Sequence, residues 1–272
     1  MSTASLSIAD STLLYATPAA AGMGGAFGSI ADDNSAIIIN PAGMSAKKRY
    51  GAHIGYLYTN PDTESRVDFS AVDSHTSQVG VGVAYIRDYY RTPSFGVQRN
   101  TYVTAISMGT PGIFSAGING RMDQFTQGLS GESQTLGYGI IFSPGLSFLN
   151  LSIAGLNLTR IKGTREQLPP RLIDAGISLQ LQDVLTISFD GVKNLEISTG
   201  KNIDYHAGGE IVLVKQIVLR GGYAWMDTQN DKTYSAGIAW DAPRFTIAYT
   251  FVGDVIHKQN NVQLVSFTLY PF

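Results

Sequence analysis

The sequence predicts an all-β chain, a transmembrane antiparallel β-barrel of about fourteen strands, and three observations predict it. From about Tyr50 onward the chain divides into segments of roughly ten residues, many alternating between bulky apolar and small or polar side chains. A strand with two unlike faces requires this period. Along the chain, the connections alternate between short and long, as they do when short turns gather at one end of a barrel and longer loops at the other. No apolar run approaches the roughly eighteen residues that a membrane helix needs; Ala36–Ile39 and Ile211–Val214 are typical runs.

Composition narrows the function. Only 15% of the 272 residues are charged, against about a quarter in ordinary soluble domains. The formal charge of −2 offers no footprint for nucleic acid. The absence of cysteine excludes thiol catalysis, cysteine-based zinc sites and disulfides. Met1–Ser5 lacks a basic stretch followed by an apolar one, so a native export signal is expected to have been removed.

Residues 1–47 do not alternate and form a unit apart from the barrel of 48–272. Thr17 before Pro18 reads as the cap of a short helix running to about Ala21. Asp32 and Asp33 read as caps of another short helix or as ion-pair partners inside a lumen. Lys47, Lys48 and Arg49 read as an interfacial anchor at the foot of the first strand.

Strands are expected near 49–58, 65–72, 77–88, 98–108, 112–122, 132–143, 147–158, 171–180, 183–192, 202–213, 216–226, 232–240, 243–252 and 260–270. The clearest is the thirteenth, where Phe245, Ile247, Tyr249 and Phe251 alternate with Thr246, Ala248 and Thr250. Short turns are expected at Asp73–Thr76, Gly109–Gly112, Ser143–Gly145, Leu181–Asp183, Val214–Gln216 and Asp241–Pro243. Longer loops are expected at Tyr89–Gln98, Asp123–Gly131, Thr159–Pro170 and Gly253–Gln259. Tyr50, Tyr56, Tyr58, Tyr85, Tyr89, Tyr90, Trp225, Trp240 and Tyr270 lie near segment ends, where interfacial aromatic girdles belong. The chain ends on alternating Val265, Phe267 and Leu269, then Pro271 and Phe272, similar to the terminal signal read by outer-membrane assembly machinery.

Within residues 1–47 the order Ala21-Gly-Met-Gly-Gly-Ala-Phe27, Ala31-Asp-Asp33 and Asn40-Pro-Ala-Gly43 resembles the N-terminal hatch of FadL-type outer-membrane proteins. That group includes hydrocarbon transporters and the PorV-type barrels linked to protein secretion. The resemblance implies a hatch inside the lumen of a fourteen-stranded barrel in a bacterial outer membrane, with lipid around it. It also implies hatch-gated transport of small hydrophobic molecules, which leave sideways through a wall opening; Gly80 and Gly82 are the candidate place for it. The alternative is a PorV-like barrel that anchors or shuttles a protein partner, favoured by the short, polar external loops and the compact length.

No enzyme is expected. His53, His75, His206 and His257 lack metal-ligand spacing, and neither a nucleophile elbow nor a phosphate-binding lysine motif is present. No cofactor or metal is expected. Met23, Phe27, Ile37, Ile38 and Ile39 are candidates to line an apolar pocket or, alternatively, to pack the segment against the wall. Asn40 and Pro41 read as the turn leading into the first strand. Asp190, Asp204, His206, Glu210 and Arg220 fall on the polar face of adjacent strands, with Arg66, Asp68 and Arg121 as further members. They form either a polar passage or a set of ion pairs that fills the lumen and holds the hatch, because buried charges need partners.

Overall fold

The computed structural model describes residues 16–271 apart from 62–63, 92–95, 128–130, 146–147, 166, 183, 199, 201 and 215. Its strands are β1 (Tyr50–Asn60), β2 (Glu64–Asp73), β3 (Val79–Arg91), β4 (Gly96–Thr110), β5 (Phe114–Gln127), β6 (Gly131–Phe142) and β7 (Leu149–Lys162). They continue with β8 (Leu172–Leu181), β9 (Leu185–Asn194), β10 (Ile203–Val214), β11 (Ile217–Met226), β12 (Asp231–Ala242), β13 (Phe245–Asp254) and β14 (Asn261–Leu269). Each strand pairs antiparallel with its sequence neighbours, and β1 pairs with β14 from Ala52↔Leu269 to Asn60↔Asn261. The sheet is therefore closed and leaves no edge, the condition a lipid-facing sheet must meet.

The alternation sorts as expected. On β13, Ile247 and Tyr249 are exposed while Ala248 and Thr250 are buried inside. The same holds on β14, where Val265, Phe267 and Leu269 face outward and Leu264, Ser266 and Thr268 inward. Exposed Ile106, Ile153, Ile187 and Ile238 continue this apolar band around the barrel. Such a surface suits hydrocarbon, whereas in water it would be an association hazard.

Several expected boundaries move. β3 and β4 run into the expected Tyr89–Gln98 loop and leave residues 92–95 between them. β5 likewise continues through Asp123 to Gln127. The loops at that end are accordingly shorter than expected, because inward side chains there keep pairing across strands. Tyr90 is not a girdle residue; it is buried in the lumen, where its hydroxyl accepts from Arg99 Nη2 (3.0 Å). Tyr270 also leaves the girdle: its ring faces Gly51 and lines the cavity at the short-turn end. Phe272 and the expected turn residue Asp183 lie outside the described residues.

Inside the barrel lie α1 (Pro18–Gly22), a 3-10 helix (Asn34–Ile37) and α2 (Gly43–Ala46). Thr17 caps α1 by accepting from Ala20 N–H (3.3 Å), with Pro18 in the first turn, where a missing N–H is harmless. Asp33 caps the 3-10 helix through Ser35 N–H (2.8 Å). The same carboxylate accepts from Thr17 Oγ1 (2.7 Å), and the carbonyl of Asp33 accepts from Arg49 Nη2. One aspartate thus joins two helix caps and the root of β1.

Candidate functional site

The site is the contact between residues 16–49 and the inner wall. Two apolar clusters anchor it. Met23, Phe27 and Ile39 pack with Ala16, Ala19 and Ala20. Ile37 and Met44 pack with Val72, Ala84, Val103, Ala105 and Ile141 of the wall. All five are essentially inaccessible, Asn40 and Pro41 are buried, and Ile38 is partly so. These residues fill space within the segment and against the wall, and none of them lines the cavity described below.

The fit depends on close approach of main chain to main chain. On β10 and β11, a Cβ at Gly208 would strike Met23 and one at Gly222 would strike Gly24. On β5 and β6, Gly117 faces the main chain of Pro41 and Ala42, and Gly139 faces the Asn40 side chain. Only glycine permits such contact. Gly82 likewise receives Ile37 and Met44, and β3 pairs with β2 and β4 at this level. Among the described residues the wall is therefore paired on both sides at Gly82, where an opening was expected; a seat for the N-terminal segment occupies the place.

Polar tethers complete the seat. Gly28 N–H donates to Asp190 Oδ2 (2.7 Å), and His206 Nδ1 donates to Gly24 O (2.8 Å). Ser235 Oγ donates to Gly22 O (2.9 Å), and Thr250 Oγ1 to Pro18 O (2.7 Å). On the opposite wall Asn119 Nδ2 donates to Ile37 O (2.8 Å). Asn40 braces the segment internally, donating to Gly28 O (2.9 Å) and accepting from Ala42 N–H (3.2 Å) in the expected turn.

The five expected lumen residues do not form one network. Asp190 and His206 hold the N-terminal segment. Asp204 turns to the loop end and accepts from Thr228 N–H (2.8 Å) and Oγ1 (2.6 Å). Glu210 pairs with Arg220 (2.7 Å) toward the short turns. Arg66, Asp68 and Arg121 sit apart again. Asp88, fully buried, accepts from Arg66 Nε (2.6 Å) and Arg99 Nη2 (2.6 Å). Arg121 pairs with Asp123 (2.9 Å), and Asp68 with His53 (3.1 Å). Asp88, Arg99 and Asp123 escaped the sequence reading because they lie in segments that read as loop or loop margin.

A cavity of about 1080 Å³ occupies the short-turn end below the segment, lined by Asp32, Lys47, Arg49, Ser178, Glu210 and Arg220 among others. Its lining mixes these charged groups with apolar ones such as Ile30, Ile141 and Val218, and contains none of the seven apolar or turn candidates of the N-terminal segment. Lys47 and Asp32 pair across its rim at 2.7 Å, with Lys47 mostly exposed. Burial pushes the Asp32 carboxyl up, but Lys47 beside it, helped by Arg49, outweighs this and holds it below the usual aspartate range. The basic cluster at the foot of β1 is thus a brace: Lys48 reaches Ser77 O (3.1 Å), and Arg49 reaches the Asp33 and Lys47 carbonyls.

No family profile matches the sequence, and no curated protein matches it. Solved structures do match the fold. The CymD monoaromatic hydrocarbon channel is 14% identical, with 95% of this chain and 98% of that one covered and a TM-score of 0.67. The toluene transporter TbuX of Ralstonia pickettii is 11% identical over 93% of this chain and 98% of its own, with a TM-score of 0.66. A Pseudomonas aeruginosa FadL homologue is 13% identical over 93% and 97%, with a TM-score of 0.67. The fold is therefore that of the FadL-type transporters, a closed barrel of fourteen antiparallel strands.

Proposed function

We propose that the chain is a bacterial outer-membrane channel for small hydrophobic molecules, with residues 16–49 acting as a hatch that closes the lumen. The observation carrying this reading is the seating of that segment. Met23, Phe27, Ile37 and Ile39 block the interior with apolar side chains, while a handful of hydrogen bonds from Asp190, His206, Ser235, Thr250 and Asn119 hold it in place. The apolar outer band supplies the lipid contact, and the terminal strand is the part offered to the assembly machinery. Hydrocarbon channels of the same fold support the substrate class. Toluene is the probe. Uptake of radiolabelled toluene by intact Gram-negative host cells should exceed that of cells carrying an empty vector and rise further when the hatch tethers are removed. Uptake equal to the empty-vector control refutes transport.

A second reading, a barrel that anchors a protein partner, draws support from the short β3–β4 connection and from the charged side chains Asp32, Lys47, Arg49, Glu210 and Arg220 around the cavity on the short-turn side. Affinity capture from native membranes tests it. A stoichiometric partner together with absent toluene uptake would favour it.

A further inference from the structure

Buried acids in this lumen generally meet cations. Asp88 pairs with Arg66 and Arg99, Asp123 with Arg121, and Glu210 with Arg220. Asp174 on β8 and Asp190 on β9 have no such partner among the described residues, although both are buried, Asp174 at 3% exposure and Asp190 at 0%. The residues opposite Asp174 are Ala154 on β7 and Val192 on β9. His206 stands opposite Asp190 on β10, but its Nδ1 is turned to Gly24 O. Two carboxylates kept from water without a counter-charge are unfavourable, so something else must balance them.

The two acids converge on one place. A Cβ added at Gly28 would lie against Asp174 Oδ2 and Asp190 Oδ2, and one added at Gly176 would collide with Asp190 Oδ1 and Ser152 Oγ. Gly176 stands between Asp174 and Ser178 on the inward face of β8, so the Asp190 carboxylate lies over the gap between them. Ser188 Oγ is 3.5 Å from Asp190 Oδ1 and 3.3 Å from Ser29 Oγ, and Ser178 is its cross-strand neighbour. Asp190 Oδ2 is taken by Gly28 N–H, which leaves Oδ1 to the serines. Two buried oxygens here have no hydrogen-bond partner, Asp174 Oδ1 and Ser178 Oγ. The unpaired Ser178 hydroxyl is independent of the acid pair and marks the same patch as incomplete.

We propose that Asp174 and Asp190, with the hydroxyls of Ser152, Ser178 and Ser188, bind a calcium ion that fastens the Gly28–Ser29 turn to the wall. The side-chain donors are all oxygen, the chemistry of hard cations, and neither sulfur nor a free imidazole nitrogen favours a transition metal. Two carboxylates match a divalent charge. Calcium accepts irregular oxygen sets, whereas magnesium demands a near-ideal octahedron. Ser29 and Ser178 also line the cavity at the short-turn end, which gives the ion its approach. With the ion bound, Asp190 keeps its bond to Gly28 and the repulsion between the two acids is relieved. Without it, that repulsion loosens the turn. The assignment does not depend on what the barrel transports, and its test reads no uptake.

The test uses the full chain in detergent, stripped of divalent ions by a chelator. Asp231, Asp254 and His257 lie together at the long-loop end and could take up calcium themselves. Asp231→Asn with Asp254→Asn therefore forms the background for every protein compared. Calcium chloride titrated into the background protein in a calorimeter should give a single site. Adding Asp174→Asn, which keeps the side chain's size and removes its charge, should weaken that site about tenfold or more. Ser152→Ala with Ser178→Ala is the second variant and should weaken it too. Hydrogen exchange at residues 24–30 should slow with calcium in the background protein and not in Asp174→Asn, with strand peptides reporting that the barrel is intact. No calcium binding by the background protein, or equal binding by Asp174→Asn, overturns the proposal. Exchange at residues 24–30 that responds to pH and not to calcium also overturns it, and assigns the balancing charge to a shared proton.

Discussion

Removing the two side chains that bind the Gly24–Gly28 turn should free the N-terminal segment without opening the barrel. Asp190→Ala leaves the buried Gly28 N–H without its carboxylate, and His206→Ala leaves the Gly24 carbonyl without its donor. Leaving a buried polar group unmade costs about 1–3 kcal/mol, somewhat more where the lost partner is charged. The two contacts lie on one short turn, so their effects need not add. A combined loss of about 2–6 kcal/mol follows, and since 1.4 kcal/mol is tenfold in population, opening should rise about thirtyfold or more. Hydrogen exchange read by mass spectrometry over residues 16–30 measures this, with strand peptides as the internal reference. Asp204→Asn with Glu210→Gln is the control, because those carboxylates bond Thr228 and Arg220. Equal loss of protection in the two double variants would refute the assignment of Asp190 and His206 as the tethers.

Three further outcomes follow from the same geometry. Ile37→Ala removes a fully buried side chain between Met44 and the wall; it should cost about 2–5 kcal/mol, read as a lower urea midpoint with unchanged slope. Asp88→Leu deprives buried Arg66 and Arg99 of their shared carboxylate and should cost about 3–5 kcal/mol, whereas Arg66→Met, Asp88→Leu and Arg99→Met together should restore most of it. The same urea titration distinguishes these two. The Asp32–Lys47 pair has a lowered folded carboxyl, so its contribution is full above the unfolded aspartate value of about 3.9 and is lost as pH falls through the folded value. With Lys47 mostly exposed this amounts to about 1 kcal/mol or less, visible as faster exchange at residues 30–34 below pH about 4 and absent in Asp32→Asn.

The strands were legible because their two faces meet different surroundings, and alternation records that difference residue by residue. Their ends were less so. Tyr89, Tyr90 and Arg91 read locally as a polar-aromatic loop, yet β3 continues through them because Asp88 and Tyr90 find Arg66 and Arg99 on neighbouring strands. The caps at Thr17 and Asp33 are local events and could be read from a few residues. The tethers were half legible. Asp190 and His206 announce themselves as inward polar residues, but their partners are the main chain of Gly28 and Gly24, which carries no side-chain signature. Asp204 and Glu210 look identical in sequence and serve elsewhere. The shift in register between β6 and β7 at Leu156–Leu158 left no trace, since Leu-Asn-Leu is ordinary alternation until the register of β6 is known.

The glycine seats also bear on how the molecule is made. Gly208 and Gly222 grip one side of residues 22–28, and Gly117 and Gly139 grip the other side of residues 40–42, with too little clearance for an added methyl group. A rigid body held this way could not slide along the axis of a finished cylinder, and it joins the wall through Lys47–Arg49, which lead into β1, the strand that closes the sheet against β14.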